Sequence, residues 1–248
     1  AFGGVVDIED YESEKARKSL EKKVKKSKRF FITTAVNGQF VHKGFMKSIE
    51  NYCKRNKAEL LILPSHDPAH NLDNQIEWHF ASEIVDKNYP IVFEQLDMNS
   101  NLHISGVRIN AKQINPTTGL SRISQGKGSF IFASPKQSLE FVPTSNVKLP
   151  HAMMSTGSCT LPNYKTTLGN SLRTAFLAHY DHVIGGIIVE VVDDEIYHFR
   201  QVQADASGNF IDLGIRYTGN SAKRIKGAKL VMGDYHAGEH HEPTVKAC

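Results

Sequence analysis

Arg29-Phe-Phe-Ile-Thr-Thr-Ala-Val36 and Glu59-Leu-Leu-Ile-Leu63 are the two stretches on which the fold turns. Each is a short apolar run rich in β-formers, which reads as a strand buried on both faces. The first closes on Asn37-Gly38, a turn signal, and the second on Pro64, which lacks a ladder donor. Between them, from about Val41 to Lys57, Phe45, Ile49 and Tyr52 recur at helical spacing and would share one face. Strand, helix and strand at this spacing predict a right-handed βαβ unit with parallel strands. The expected class is therefore α/β.

Working outward, a second helix is expected over Asn74–Lys87, carried by Ile76, Phe80 and Ile84. Pro90–Phe93, Leu102–Ile109 and Ser129–Ala133 read as further strands. The middle, about Lys136 to Arg173, lacks periodicity and is rich in Ser, Thr, Asn and Pro, which suits a functional or subunit-contacting loop region. Val183–Val192 reads as a long strand with Gly185-Gly186 inside, a bulge or a close approach. Asp193-Asp194 would turn it into a second strand over Ile196–Val202, and Asn209–Ile215 would add a third. These strands predict a mixed sheet. Ala228–Met232 reads as one more short buried strand.

The 248 residues carry a formal net charge of +4, which permits a nucleic-acid partner without demanding one. Cys53, Cys159 and Cys248 are far apart, with no Cys-x-x-Cys pair, a pattern that suits a reducing cytoplasm. No run of about 18 apolar residues occurs, so no transmembrane helix and no membrane partner are expected. The start has no secretory pattern and no initiator Met, so processing or truncation is expected there. Basic charge concentrates between Glu12 and Arg29, with Lys22, Lys23, Lys25 and Lys26 at its centre and only Leu20 and Val24 apolar at helical spacing. The segment reads as a solvated helix or extended arm, or as a basic arm that grips a phosphate backbone. The organisation expected is a basic helical arm over 1–29, an α/β domain over 30–218 and the start of a further domain over 222–248.

The most specific motif is Asp234-x-His236-x-Gly238, directly after the last predicted strand. A carboxylate and an imidazole two residues apart on a loop can turn toward one ion, and the mixed donor set suits Mn, Fe or Zn. Glycines on both sides allow a tight turn and close approach to a ligand. His240 and His241 follow closely, as extra ligands or as a solvated loop. His179-x-Asp181-His182 is a second cluster, but Leu177 stands where a His-x-His-x-Asp-His metal motif would need its first His. His66-Asp67 follows the buried strand at 59–63, where an α/β sheet places ligands, and could line one crevice with Asn37-Gly38. Cys159 would need a neighbouring His to act as a nucleophile.

Strand then Gly-Asp-x-His resembles the first block of calcineurin-like metallophosphoesterases, and the Asp-x-His-x-Gly form is similar to that of Mre11-type DNA nucleases. The wider arrangement is similar too: Val183-Ile-Gly-Gly-Ile-Ile-Val-Glu190, His198–Asp205 and Arg216-Tyr217 precede the block. It resembles phage nucleases in which an α/β domain comes before a calcineurin-like domain, among them early DNases of host-DNA degradation and DNA transfer. The resemblance implies that Asp234 and His236 are catalytic and ligate one of two divalent ions, Mn or Mg. It further implies a DNA substrate, a homo-oligomer and a host-cytoplasmic setting. Later blocks of the family are missing from the 248 residues, so the chain is expected to be an amino-terminal fragment, inactive alone. Two other classes stay open: a non-catalytic DNA-binding or oligomerisation module, and a phosphatase of nucleotides or phosphoproteins.

Overall fold

In a computed structural model, residues 2–6, 8–67, 77–144, 150–164 and 172–226 are described. The first half runs β1 (Phe2–Val6), α1 (Ile8–Glu12), α2 (Glu14–Lys26), β2 (Arg29–Val36), α3 (Lys43–Asn56), β3 (Glu59–Ser65), β4 (Trp78–Ala81), α4 (Ser82–Val85), β5 (Leu96–Asp97) and β6 (Leu102–Ile104). The second half runs α5 (Ser121–Lys127), β7 (Ser129–Phe132), β8 (Leu139–Val142), β9 (His151–Ser155), α6 (Leu172–Tyr180), β10 (Gly185–Val191), β11 (Tyr197–Gln203), β12 (Phe210–Asp212), β13 (Ile215–Tyr217) and β14 (Ala222–Arg224). The class is α/β with mixed sheets, as expected.

The βαβ unit forms as read. β2 and β3 pair in parallel from Phe30↔Glu59 to Val36↔Ser65. The connecting helix α3 starts where His42 Nδ1 accepts from Phe45 N at 3.1 Å, and stops at Lys57, whose φ of 52° is left-handed. Phe45, Ile49 and Tyr52 bury one face of α3 with Phe31, Leu60 and Ile62. Pro64 does not end β3. It pairs with Ala35 and the strand runs on to Ser65, which an edge position tolerates.

This sheet has the order β11-β10-β2-β3, and the second has β5-β6-β7-β9-β8. Alternation along each strand decides how they meet. Phe30, Ile32, Leu61, Leu63, Ile187 and Val189 form one buried cluster with Leu102, Ile104, Ile131 and Met154 from the other sheet. The opposite face of the second sheet, with Phe130, Phe132 and Met153, packs against Ile123 of α5. The result is helix, sheet, sheet, helix. Where β2 and β10 diverge, the stretch 156–160 wedges between them: Thr34 N donates to Gly157 O at 3.1 Å and Gly185 N to Ser158 O at 3.0 Å. Cys159 sits in this wedge, wholly buried, and burial pushes its thiol up to about 12. It is a packing residue there.

Several expectations need correction. Of the helix expected over 74–87, the described residues are helical at Ser82–Val85, while Trp78–Ala81 forms a strand against β1. Phe80 and Ile84 are buried as expected, but Trp78 and Phe80 enter the core two residues apart, the strand period. Positions 74 and 76 lie outside the described residues. The irregular middle holds β8 and β9 and the start of α6; β9 was missed because His-Ala-Met-Met-Ser has no β-branched residue. Leu102–Ile109 is a strand only to Ile104. Asn209–Ile215 breaks at Leu213-Gly214, both at positive φ, into a hairpin.

Among the described residues before β2, β1 and α2 contact the rest of the fold. β1 pairs with β4, and α2 buries Val24. Lys23 Nζ meets Glu59 at 2.7 Å. Tyr217 pairs with Ala222 in the β13–β14 hairpin. Among the described residues no helix is long and apolar enough to cross a membrane.

Gly185-Gly186 is a close approach, with regular pairing to Val202 and Gln203. A Cβ on Gly186 would collide with the Phe31 ring and lie 2.8 Å from the Ile32 carbonyl, which is backbone and cannot swing away. Gly186→Ala is expected to cost about 2 kcal/mol, read as a lower urea midpoint at unchanged slope.

Candidate functional site

Asp234, His236, His240 and His241 lie outside the described residues. Two other places carry concentrated chemistry, one at each end of the parallel pair β2/β3.

At the amino end, the last turn of α2, the end of α3 and the tip of the β10–β11 hairpin enclose a crevice of about 780 Å³. Lys23, Lys26, Lys28, Arg29 and Lys57 line it, with only Glu59 and Glu190 as acids. Lys23 and Lys26 share one face of α2 because they are three residues apart. Lys22 and Lys25 are exposed but do not line the crevice. The two acids are already engaged. Glu59 holds Lys23, and Glu190 takes Arg29 at 3.2 Å and Arg200 at 2.6 Å. Burial alone would raise the Glu190 carboxyl, but Arg200 and Arg29 outweigh it and hold it below its ordinary range. Lys26, Lys28 and Lys57 make no ion pair among the described residues. Their charge faces solvent, so the crevice suits a partner bearing several negative groups. Sequence reading found Lys23 and Lys26 as a basic run; Lys28 and Arg29 belong to the same run, but Lys57 reads only as a helix end.

At the carboxyl end, Asp67 Oδ1 meets Lys112 Nζ at 3.0 Å, with the two side chains 0% and 3% exposed. Such a pair is expensive to bury and is poor evidence for stability by itself. Lys112 arrives on the loop after β6, which is tied down by Ala111 N donating to His66 O at 2.9 Å and Ser65 Oγ to Ile109 O at 3.2 Å. No local signal marked Lys112. His66 packs edge-on to Trp78, with ring centres 6.2 Å apart, and Arg108 lies 5.9 Å from the Trp78 ring. Burial, then the Arg108 charge, lowers the His66 pKa, so this ring is neutral near pH 7. His66 Nδ1 and Trp78 Nε1 are buried without hydrogen-bond partners among the described residues. Asn37 anchors β4: its Nδ2 donates to Glu77 O at 2.8 Å and its Oδ1 accepts from His79 N at 2.7 Å.

In the cluster at 179–182, Asp181 and His182 have partners outside the cluster. Asp181 Oδ2 meets Lys136 Nζ at 3.1 Å, and His179 is exposed. His182 Nε2 donates to Thr160 O at 2.7 Å and Nδ1 accepts from Tyr164 OH at 2.7 Å, which fixes the neutral tautomer. Among the described residues no group of three or more His, Cys, Asp or Glu side chains could hold a metal ion.

Burial lowers the His182 pKa from 6.5 to about 4. A depressed histidine stabilises the fold fully above about pH 6.5 and loses that contribution as the pH falls toward 4, because only the unfolded chain takes up the proton in that window. The loss expected is roughly 3 kcal/mol. Urea unfolding at pH 7 and pH 4.5 should show this slope in the natural chain and a shallower one in His182→Phe.

Compared with curated proteins, the chain is 28% identical over 237 residues to Protein A1 of Escherichia phage T5. The chain is similar to a phage protein. The match covers 90% of this chain and 41% of that protein, so the chain spans about two fifths of the length of the relative it matches. No family model and no solved structure matches it.

Proposed function

We propose that the chain is the DNA-engaging α/β part of a phage metal-dependent deoxyribonuclease that acts in the host cytoplasm, in host-DNA degradation or DNA transfer. The observation that carries the proposal is the crevice, where five cations, Lys26, Lys28 and Lys57 among them, face two acids on a floor set by three elements. A phosphate backbone offers the matching partner, a row of anions with counterions to release. The similarity to a phage protein supports the setting. The Asp234-x-His236-x-Gly238 motif supports the chemistry, with Asp234 and His236 as ligands to one of two divalent ions, Mn or Mg. Such ions, when bound, activate water and offset charge on the phosphate. The described part alone is expected to bind without cutting. Assembly with a second copy belongs to the same reading, and Leu172, Phe176 and Tyr180 of α6 stand exposed on one stripe at helical spacing.

Fluorescence anisotropy with labelled duplex DNA across a salt series tests the grip. Affinity should fall steeply and linearly on a log–log plot against salt. Salt-independent affinity, or none at low salt, rules the grip out. A non-catalytic binding module rests on the same crevice and predicts the same slope, but no metal-dependent cleavage by the full-length polypeptide. A phosphatase predicts cleavage of nucleotide or phosphoprotein monoesters without the salt slope.

A further inference from the structure

A cleft of about 940 Å³ opens at the edge of the sandwich, between the outer strand β11 and the start of β9. Tyr197 and Phe199 form one wall. They are two residues apart and so on one face of the strand, with ring centres 6.4 Å apart and planes 29° apart. Tyr197 is pinned by its hydroxyl, which donates to Ser129 Oγ at 2.6 Å. Lys127 and His151 also line the cleft. His151 Nδ1 contacts the Ser124 carbonyl at 2.6 Å; a carbonyl only accepts, so Nδ1 carries the hydrogen and Nε2 is the acceptor of the neutral ring. Glu195 is the one carboxylate among the described lining residues.

We propose that this cleft holds one unpaired nucleotide of a DNA strand, its base stacked on the Tyr197–Phe199 platform and its phosphate at Lys127. A bare phosphate would use Lys127 and leave the rings idle, and a purely apolar ligand would leave Lys127 and His151 unanswered. A nucleotide uses both, which is how single-strand binders combine cationic and aromatic side chains. Glu195 repels a phosphate on its own side and so sets the orientation, phosphate toward Lys127. The basic crevice lies at the same hairpin: Val191 and Val192 line the crevice, Ile196 and Tyr197 line the cleft, and Val191 is the register partner of Tyr197. The inference rests on the DNA reading of that crevice and adds a preference for unpaired DNA.

The test compares a labelled thymidine oligonucleotide with a duplex of equal length on the full chain, by anisotropy at fixed salt. Phe199→Leu and Lys127→Gln alter the cleft, and Lys26→Gln with Lys28→Gln alters the crevice. Lys127 is exposed, so its variant leaves packing intact. Each cleft variant is expected to weaken single-strand binding about tenfold and to leave duplex binding within about twofold. The crevice variant should weaken both. If cleft variants leave single-strand affinity unchanged while the crevice variant weakens both substrates, the cleft inference is overturned and the DNA reading stands. If no variant changes affinity for either substrate, both fail.

Discussion

Asp234→Asn and His236→Ala are each expected to lower metal-dependent DNA hydrolysis by the full-length polypeptide about a thousandfold or more. On the proposed reading both donors would serve one ion, so loss of either would leave too few ligands to position it. Groups that act as one unit are not additive, so the double variant should be no slower than the worse single one. EDTA should reproduce the loss in the natural protein and add nothing in the variants. DNA affinity in EDTA should stay the same in all of them, because the proposed grip lies in the described α/β part. Initial rates of acid-soluble release from linear duplex DNA measure the first effect, and anisotropy the second. Undiminished hydrolysis in both variants would move the chemistry away from this motif.

The second large effect concerns the crevice. Reversing Lys26, Lys28 and Lys57 to Glu together should weaken duplex binding at least about a hundredfold near 50 mM salt and flatten the salt dependence by roughly 2.7, since each neutralised phosphate contributes about 0.9 to the log–log slope. The same three positions changed to Gln should flatten the slope equally with a smaller loss. Lys22→Glu and Lys25→Glu are the controls: each carries the same charge change per residue on an exposed position outside the crevice, and a local grip predicts a much smaller loss per substitution. Equal losses in both sets would replace the crevice with diffuse attraction to the whole helix.

The sequence made the βαβ unit legible because β2 and β3 are buried on both faces and α3 repeats its apolar residues cleanly, so local pattern and tertiary fate agree. It misled around Trp78, where Phe80 and Ile84 fit a helix while Trp78 and Phe80 fit a strand, and the deciding partner is β1, distant in sequence. The middle stretch hid β8 because it is only four residues long and mostly unburied, and β9 because it lacks β-branched residues. In the crevice, Lys23 and Lys26 were visible as charge density. Lys57 and Glu190 come from separate elements that only the fold brings together, so the extent of uncompensated charge was not readable in advance. Lys112 was missed for the same reason: its partner Asp67 was a candidate, but nothing local tied the loop after β6 to the end of β3. Tyr197 and Phe199 read only as alternating strand residues, since an edge cleft depends on what the neighbouring sheet leaves open.

The most direct test of the central claim is the steady-state rate of linear duplex DNA hydrolysis by the full-length polypeptide, in Mn and in EDTA, for the natural protein and for the Lys26→Gln, Lys28→Gln, Lys57→Gln triple variant. A DNA-gripping metallonuclease predicts hydrolysis in Mn only, with the triple variant raising KM for DNA severalfold and leaving kcat unchanged. Hydrolysis that persists in EDTA, or an unchanged KM in the triple variant, would contradict it.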